Sequence, residues 1–428
     1  MERLPGTGLR QRKAWAGRER TPGGPGVETM IYELLKPLLF RLEAERAHDL
    51  VTGLLAAAAR APGALPLLRA LYAWDDPILA VECAGLRFAN PIGLAAGFDK
   101  RGVLAAPMAA LGFGHVEVGT VTPRPQPGNP KPRMFRLPED TALINRLGFN
   151  SEGMVAVARR LKRREGERKI GTGGDGVTAH RSPPIVHRPS SSVHRPSSSV
   201  PCPPPCILGV NIGKNRDTPL ERAVEDYLAA FVALAPLADY VTVNISSPNT
   251  PGLRRLHERT ALTDLLAALA GRNSRLARPR PIFLKLSPDE PAARLDDVIA
   301  VALETGIAGL IAGNTTTARD GLRSPLRHEA GGLSGRPLTG RAREVIAYLH
   351  RATAGRLPVI GVGGVACAQD AYGHIRAGAS LVQLYTGMIY CGPGLAGEIA
   401  RGLAVLLRRD GFPTVTAAVG ADIPASLV

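Results

Sequence analysis

A chain of 428 residues suits one large barrel with appendages or two ordinary domains, and its 45% hydrophobic content supplies a substantial core. The formal charge of +16 would suit nucleic acid, but about +3 of it falls in residues 1–29 and about +7 in 159–206, both of which read as unfolded, so no nucleic-acid partner is expected. Cys83, Cys202, Cys206, Cys367 and Cys391 show no zinc-site spacing and read as reduced thiols, and no run of 18 apolar residues exists, so neither a metal centre nor a membrane-spanning helix is expected.

In chain order, residues 1–29 are rich in Gly, Pro and Arg without periodicity and read as a disordered extension. Met30 is followed at once by helical patterning and reads as an alternative start. Residues 30–78 predict an N-terminal helical segment. Leu34, Leu35, Leu38, Leu39 and Leu42 form one stripe, and Ala47, Leu50, Val51, Leu54, Leu55 and Ala58 a second. Pro37 marks a kink or a delayed start in the first helix, and a short third segment spans Leu65–Tyr72. The hairpin either packs its apolar face on the main body or opens it to lipid or an apolar ligand.

From about residue 79 short apolar runs alternate with helical stretches. The runs are Ile92–Ala96, Val116–Thr120, Ile207–Ile212, Tyr240–Ile245, Ile282–Leu286, Gly309–Ala312, Val359–Val362 and Leu381–Tyr385. Their continuous hydrophobicity fits strands buried on both faces, and eight βα units predict an α/β fold, a (β/α)8 barrel over residues 79–412 with a tail at 413–428. A doubly wound open sheet would be expected to show a G-x-G-x-x-G turn directly after an early strand, and none of the early apolar runs is followed by one. Residues 165–205 break the rhythm: V-H-R-P-S-S-S occurs twice, at Val186–Ser192 and Val193–Ser199. This stretch reads as a disordered low-complexity insertion on the bottom face, away from the strand ends.

Chemistry in such a barrel gathers at the C-terminal ends of the strands. Those ends read Ala96-Gly97-Phe98-Asp99-Lys100, Gly119-Thr120, Asn211, Asn244, Lys285, Asn314-Thr315-Thr316, Gly363-Gly364 and Tyr385-Thr386. Amides, two lysines and glycines suit a flat, hydrogen-bonding ligand with an anionic tail. Gly363-Gly364, with Gly378, could cradle a phosphate on backbone N–H groups. Lys285 interrupts the apolar I-F-L-K-L-S, and a buried ammonium requires an anionic partner. Asn244-Ile245-Ser246-Ser247-Pro248-Asn249-Thr250 is the densest polar stretch, although alone it reads as an ordinary turn.

Further motifs join these: P-I-G-L-A-A-G-F-D-K (91–100), I-N-R-L-G-F-N (144–150), V-N-I-G-K-N (210–215), N-I-S-S-P-N-T (244–250), N-T-T (314–316), G-G-L-S-G-R-P-L (331–338) and G-V-G-G (361–364). In this order, from Met30 to about Phe412, the chain resembles dihydroorotate dehydrogenase. Where the class reducing fumarate or NAD+ carries a cysteine base in N-x-S-C-P-N, Ser247 stands here. Residues 30–75, with E-R-A-H (45–48) and F-R-L (135–137), resemble the helical segment of the quinone-reducing class. A soluble enzyme using fumarate or NAD+ is thus the alternative that the resemblance disfavours.

What the resemblance implies is FMN as cofactor, dihydroorotate and orotate as substrate and product, and a membrane quinone as final acceptor. Ser247 would take the C5 proton as general base while the C6 hydride leaves to the flavin. Asn145, Asn244, Asn249, Asn314 and Thr315 would hydrogen-bond the pyrimidine ring, with Arg146, Leu147, Gly148 and Phe149 beside them, and Lys100 would pair with the carboxylate. The flavin would lie against Ala96, Gly97, Lys100, Thr120, Asn211, Asn244, Lys285, Gly313, Gly335, Gly364, Tyr385 and Thr386. Gly313 stands where relatives often carry a hydroxyl, so any contact there is through backbone. His48 and Arg136, near Tyr385, would line the quinone tunnel. The resemblance also implies a peripheral protein on the cytoplasmic side of a bacterial inner membrane, with a monomer as the expected state.

Overall fold

The computed structural model describes residues 27–171, 206–250 and 252–424. Three helices come first, α1 (Val27–Arg41), α2 (Ala44–Ala58) and α3 (Ala64–Tyr72). The first begins inside the stretch expected to lack structure, and it passes through Pro37 without ending there; residues 1–26 lie outside the described residues. The turn into α2 is capped by Glu43, whose carboxylate accepts from the Glu45 and Arg46 N–H groups.

Side chains then tie this segment to the body. Tyr32 donates to the Ile389 carbonyl at 2.6 Å. Arg133 grips Glu45 with two hydrogen bonds, at 2.7 and 3.0 Å, in a pair that is buried on both sides. The hairpin packs on the body in part and leaves part of its apolar face uncovered. Ala47 and Glu45 are buried, while Leu34, Leu38 and Leu54 remain 80%, 61% and 61% exposed.

A hairpin of β1 (Val81–Cys83) and β2 (Leu86–Phe88) leads into the barrel, its Phe88 ring edge-on to His115 at 5.4 Å. The units that follow are β3 (Ile92–Asp99) with α4 (Ala105–Ala110), then β4 (His115–Val121) with α5 (Met154–Gly171). Between β4 and α5 lie β5 (Met134–Leu137) and β6 (Ala142–Asn145). Next come β7 (Ile207–Ile212) with α6 (Ala223–Leu234), β8 (Tyr240–Asn244) with α7 (Arg259–Asn273), and β9 (Ile282–Leu286) with α8 (Ala292–Glu304). The last are β10 (Gly309–Ala312) with β11 (Gly332–Gly335) and α9 (Thr339–Ala352), β12 (Val359–Val362) with α10 (Ala368–Arg376), and β13 (Ala379–Leu384) with α11 (Thr386–Cys391) and α12 (Leu395–Arg409).

Strands β3, β4, β7, β8, β9, β10, β12 and β13 pair in that order, all parallel, and β13 closes on β3. This is the expected (β/α)8 barrel, and each of the eight apolar runs supplies one strand. Its strands are buried on both faces, which is why they read as unbroken rather than alternating.

The remaining three strands were not anticipated. β5, β6 and β11 form an antiparallel sheet, with β6 in the middle, beside the C-terminal mouth. Two boundaries also move. α5 continues to Gly171, into the stretch expected to be an insertion; the rest of it, with both heptapeptide copies and Cys202, lies outside the described residues. Residues expected as a tail pack on the body: Val415 is buried and donates to the Ile78 carbonyl at 2.8 Å, and Asp422 pairs with Arg376 at 2.5 Å.

Candidate active site

One cleft of about 1090 Å³ opens at the C-terminal face between the strand ends and the β5–β6–β11 sheet. Each wall is fixed by local hydrogen bonds. After β3, the buried Asp99 carboxylate accepts the Gly102 and Leu104 N–H groups, both at 2.8 Å, which sets the turn carrying Lys100. Lys100 donates to Asn150. Burial, with the like charge of Arg133 nearby, pushes the Lys100 ammonium down to about 7.

On the opposite wall, Ser247 follows β8 on a turn in which its Oγ accepts the Asn249 N–H at 3.2 Å. Asn249 reaches across to β6 and donates to the Asn145 carbonyl at 3.1 Å. The chain beyond is fastened to the β9–α8 loop by Arg254 on Asp289, 3.2 Å, and by His257 on Glu290, 2.9 Å. Asp289 also accepts from Thr316 and Thr317, so one carboxylate links the Ser247 segment to the Asn314–Thr317 loop.

The floor is a chain of neutral amides and hydroxyls. Asn314 donates to Ser246 Oγ at 3.1 Å, and Ser246 donates to Asn244 Oδ1 at 3.2 Å. Asn244 donates to Thr120 at 3.0 Å and to Asn211 at 3.2 Å, and Thr120 donates to Asn211 Oδ1 at 2.6 Å. At the far end Gly363, Gly364 and Gly335 all have positive φ. A Cβ on Gly364 would fall 2.5 Å from the Thr339 backbone nitrogen, so only glycine lets these loops close this tightly.

Most of the expected residues line this cleft, including Ser247, Lys100, Lys285 and the asparagines 145, 244, 249 and 314. Four do not. Asn211 lies just beneath the floor, fully buried. Arg146 turns outward, pairing with Glu329 at 2.7 Å and stacking over Phe135 at 4.6 Å, because neighbouring residues leaving a strand take opposite sides. His48 lines an adjoining cavity that shares Gly97, Lys100 and Tyr385 with the cleft. Its ring packs edge-on to Phe98 at 4.9 Å, and burial followed by the Lys100 charge keeps it below the usual histidine range. Arg136 donates to the Leu39 carbonyl at 3.0 Å and to that of Leu42, and lies over the Phe40 ring at 4.8 Å. It caps the C-terminal end of α1, where a cation is favourable.

Sequence reasoning missed Gln383 and Ser334, which line the cleft, and Glu117, which lies in the barrel interior. The argument applied to Lys285 would have found two of them. Glu117 in V-E-V and Gln383 in L-V-Q-L are equally out of place in apolar strands.

Fold and site together define a (β/α)8 barrel with a polar cleft at the C-terminal strand ends. The family model for dihydroorotate dehydrogenase matches residues 78–407. A protein from Roseiflexus castenholzii named dihydroorotate dehydrogenase (quinone) is 62% identical over 92% of this chain and 97% of its own length. One of the same name from Anaeromyxobacter dehalogenans is 48% identical over 92% and 97%. The ligand-free crystal structure of the Eimeria tenella enzyme, 39% identical, superposes with a TM-score of 0.76 over 89% of this chain and 99% of that one. This chain belongs to the dihydroorotate dehydrogenase family.

Proposed function

We propose that the protein oxidises (S)-dihydroorotate to orotate in de novo pyrimidine synthesis, with FMN as resident cofactor and a membrane quinone as final electron acceptor. The observation that carries this reading is the placement of Ser247 on the same cleft as Lys100 and four asparagines. The names of the relatives point to the quinone as acceptor.

The residues present suit FMN. Lys285 is a buried cation at the floor, the positive-φ glycines leave room for a phosphate, and Gln383 Oε1 is a buried acceptor with no partner among the described residues. Gly335, Gly364 and Thr386 would hold the phosphate end, and Ala96, Gly97, Thr120, Lys285 and Tyr385 the ring. Bound there, FMN supplies a two-electron acceptor for hydride. The protein's own groups do the rest. Lys100 pairs with the substrate carboxylate, the asparagines and Thr315 match a ring of alternating N–H and C=O groups, and Ser247 accepts the C5 proton. A serine hydroxyl is a weak base in water, so its buried position on a fastened segment matters, and its own hydroxyl proton would have to pass on to solvent as the C5 proton arrives.

The same reading makes the N-terminal hairpin the membrane and quinone segment of a peripheral, monomeric protein; no described helix is long and apolar enough to cross a membrane. The exposed face of Leu34, Leu38 and Leu54 would enter the lipid surface. Leu38→Asp with Leu54→Asp should weaken partition onto liposomes by roughly tenfold or more per site, since burying a leucine is worth ~1.5–3 kcal/mol. A sedimentation assay reads this; unchanged binding would remove the face from the membrane role.

Lys100 gives a pH signature. Its ammonium is fully present below about 7 and lost above. Orotate affinity of the oxidised protein should therefore be flat in acid and fall by roughly tenfold per unit in alkali, while Lys100→Gln binds weakly at every pH. A wild-type affinity that stays level through pH 9 would separate Lys100 from the carboxylate.

The decisive test is the visible spectrum. A yellow protein that bleaches anaerobically with dihydroorotate and recovers with a soluble quinone, but not with fumarate or NAD+, is expected. A colourless protein, or a colour indifferent to dihydroorotate, overturns the reading.

A further inference from the structure

Glu117, on β4, is fully buried in the barrel interior and accepts four hydrogen bonds. Asn211 Nδ2 donates to it at 2.8 Å, Gln383 Nε2 at 2.9 Å, and the hydroxyls of Tyr240 and Thr242 at 3.1 Å each. All these groups are fully buried. A carboxylate can only accept, so each amide must turn its NH2 toward Glu117 and its oxygen away. For Asn211 the oxygen then takes the hydrogen bonds of Thr120 and Asn244, and the whole floor points its donors one way, toward Glu117. For Gln383 the outcome differs: its Oε1, in a side chain lining the cleft, has no partner among the described residues. Leaving a buried acceptor unmade costs about 1–3 kcal/mol, which is recovered only by a donor from a ligand.

Resting on the FMN reading above, we propose that Gln383 recognises the imide N–H of the flavin ring, and that Glu117 is the positioning residue that makes it an acceptor. The flavin pyrimidine ring carries one N–H flanked by two carbonyls. An acceptor for that N–H and a cation for its neighbouring oxygen are the two groups such an edge requires. Gln383 Oε1 and Lys285 both line this cleft and can supply them, and the Glu117 charge acts favourably on the Lys285 ammonium. Without Glu117 the Gln383 amide keeps only its longer contact to the Tyr240 hydroxyl, 3.4 Å, which can serve either end of an amide, so the flip that offers NH2 to an N–H is no longer excluded.

The holoenzyme is stripped of flavin, and wild type, Glu117→Gln and Gln383→Met are titrated with FMN and with N3-methyl-FMN, following flavin fluorescence. Wild type should prefer FMN by roughly tenfold or more, the value of one buried hydrogen bond. In Glu117→Gln and in Gln383→Met the preference should fall toward unity. A wild type that binds both flavins equally, or variants that keep the full preference, overturns the proposal and leaves the FMN reading standing. A wild type that takes up neither flavin sinks both. Should Glu117→Gln fail to fold, Gln383→Met decides alone, because it removes the acceptor at nearly constant volume.

Discussion

Ser247→Ala is expected to slow the bleaching of bound flavin by dihydroorotate by roughly 10²–10⁴-fold, the usual contribution of a positioned general base. The re-oxidation of the reduced protein by quinone should be untouched, because Ser247 lines the cleft and not the adjoining cavity where His48 lies. Orotate affinity should change little, since the asparagines and Lys100 remain. Stopped-flow spectroscopy of the two half-reactions separates these claims. Equal losses in both would mean that the substitution disturbs the cleft as a whole, and no loss would remove Ser247 from proton transfer.

Glu45→Ala should be the most damaging change outside the cleft. It leaves the Arg133 guanidinium, 7% exposed, without its carboxylate, although the Pro127 and Asn129 carbonyls still accept from it. Breaking a buried pair on one side typically costs about 3–5 kcal/mol. Because the pair joins α2 to the loop ahead of β5, the loss should appear first as release of the helical hairpin, with quinone turnover falling before dihydroorotate-dependent bleaching. The pair also sets an acid limit. Burial alone would raise the Glu45 carboxyl, but the hydrogen bonds and charge of Arg133 outweigh it and hold it below the ordinary range. Its stabilisation is therefore present above the unfolded value of about 4.3 and is lost as pH falls below it. Melting curves of wild type should drop in that range, and those of Glu45→Ala should drop less. A variant that melts with wild type at neutral pH refutes the anchor.

The barrel was legible because burial on both faces leaves no polar alternation, so V-T-V-N and I-F-L-K-L announce themselves as strands. The β5–β6–β11 sheet was not. Its strands are four residues long, and M-F-R-L is buried only at its ends, which gives too little pattern to read. Site residues at the strand ends were found by position. Arg146 shows the limit of that method, since a motif names neighbours while the backbone alternates them, sending Asn145 into the cleft and its successor to Glu329. Arg136 shows another. Nothing local told that its guanidinium would close the end of α1, almost a hundred residues earlier in the chain. Glu117 and Gln383 were hidden differently: their meaning lies in each other, and they meet only when β4 and β13 become near neighbours in a closed barrel.

The sheet beside the mouth has a bearing on synthesis. Its centre strand β6 pairs with β11, and Ser334 donates to a carbonyl 191 residues back, that of Leu143. Contacts so distant in sequence form late, because the intervening chain must first be brought to order. A growing polypeptide that has left the ribosome only as far as α8 carries Ser247 and Lys100 but has neither the Asn314 loop nor the strand that completes the cover. At that stage the cleft lacks one wall and the three strands that close the barrel, so the substrate site is complete only once nearly the whole chain has emerged.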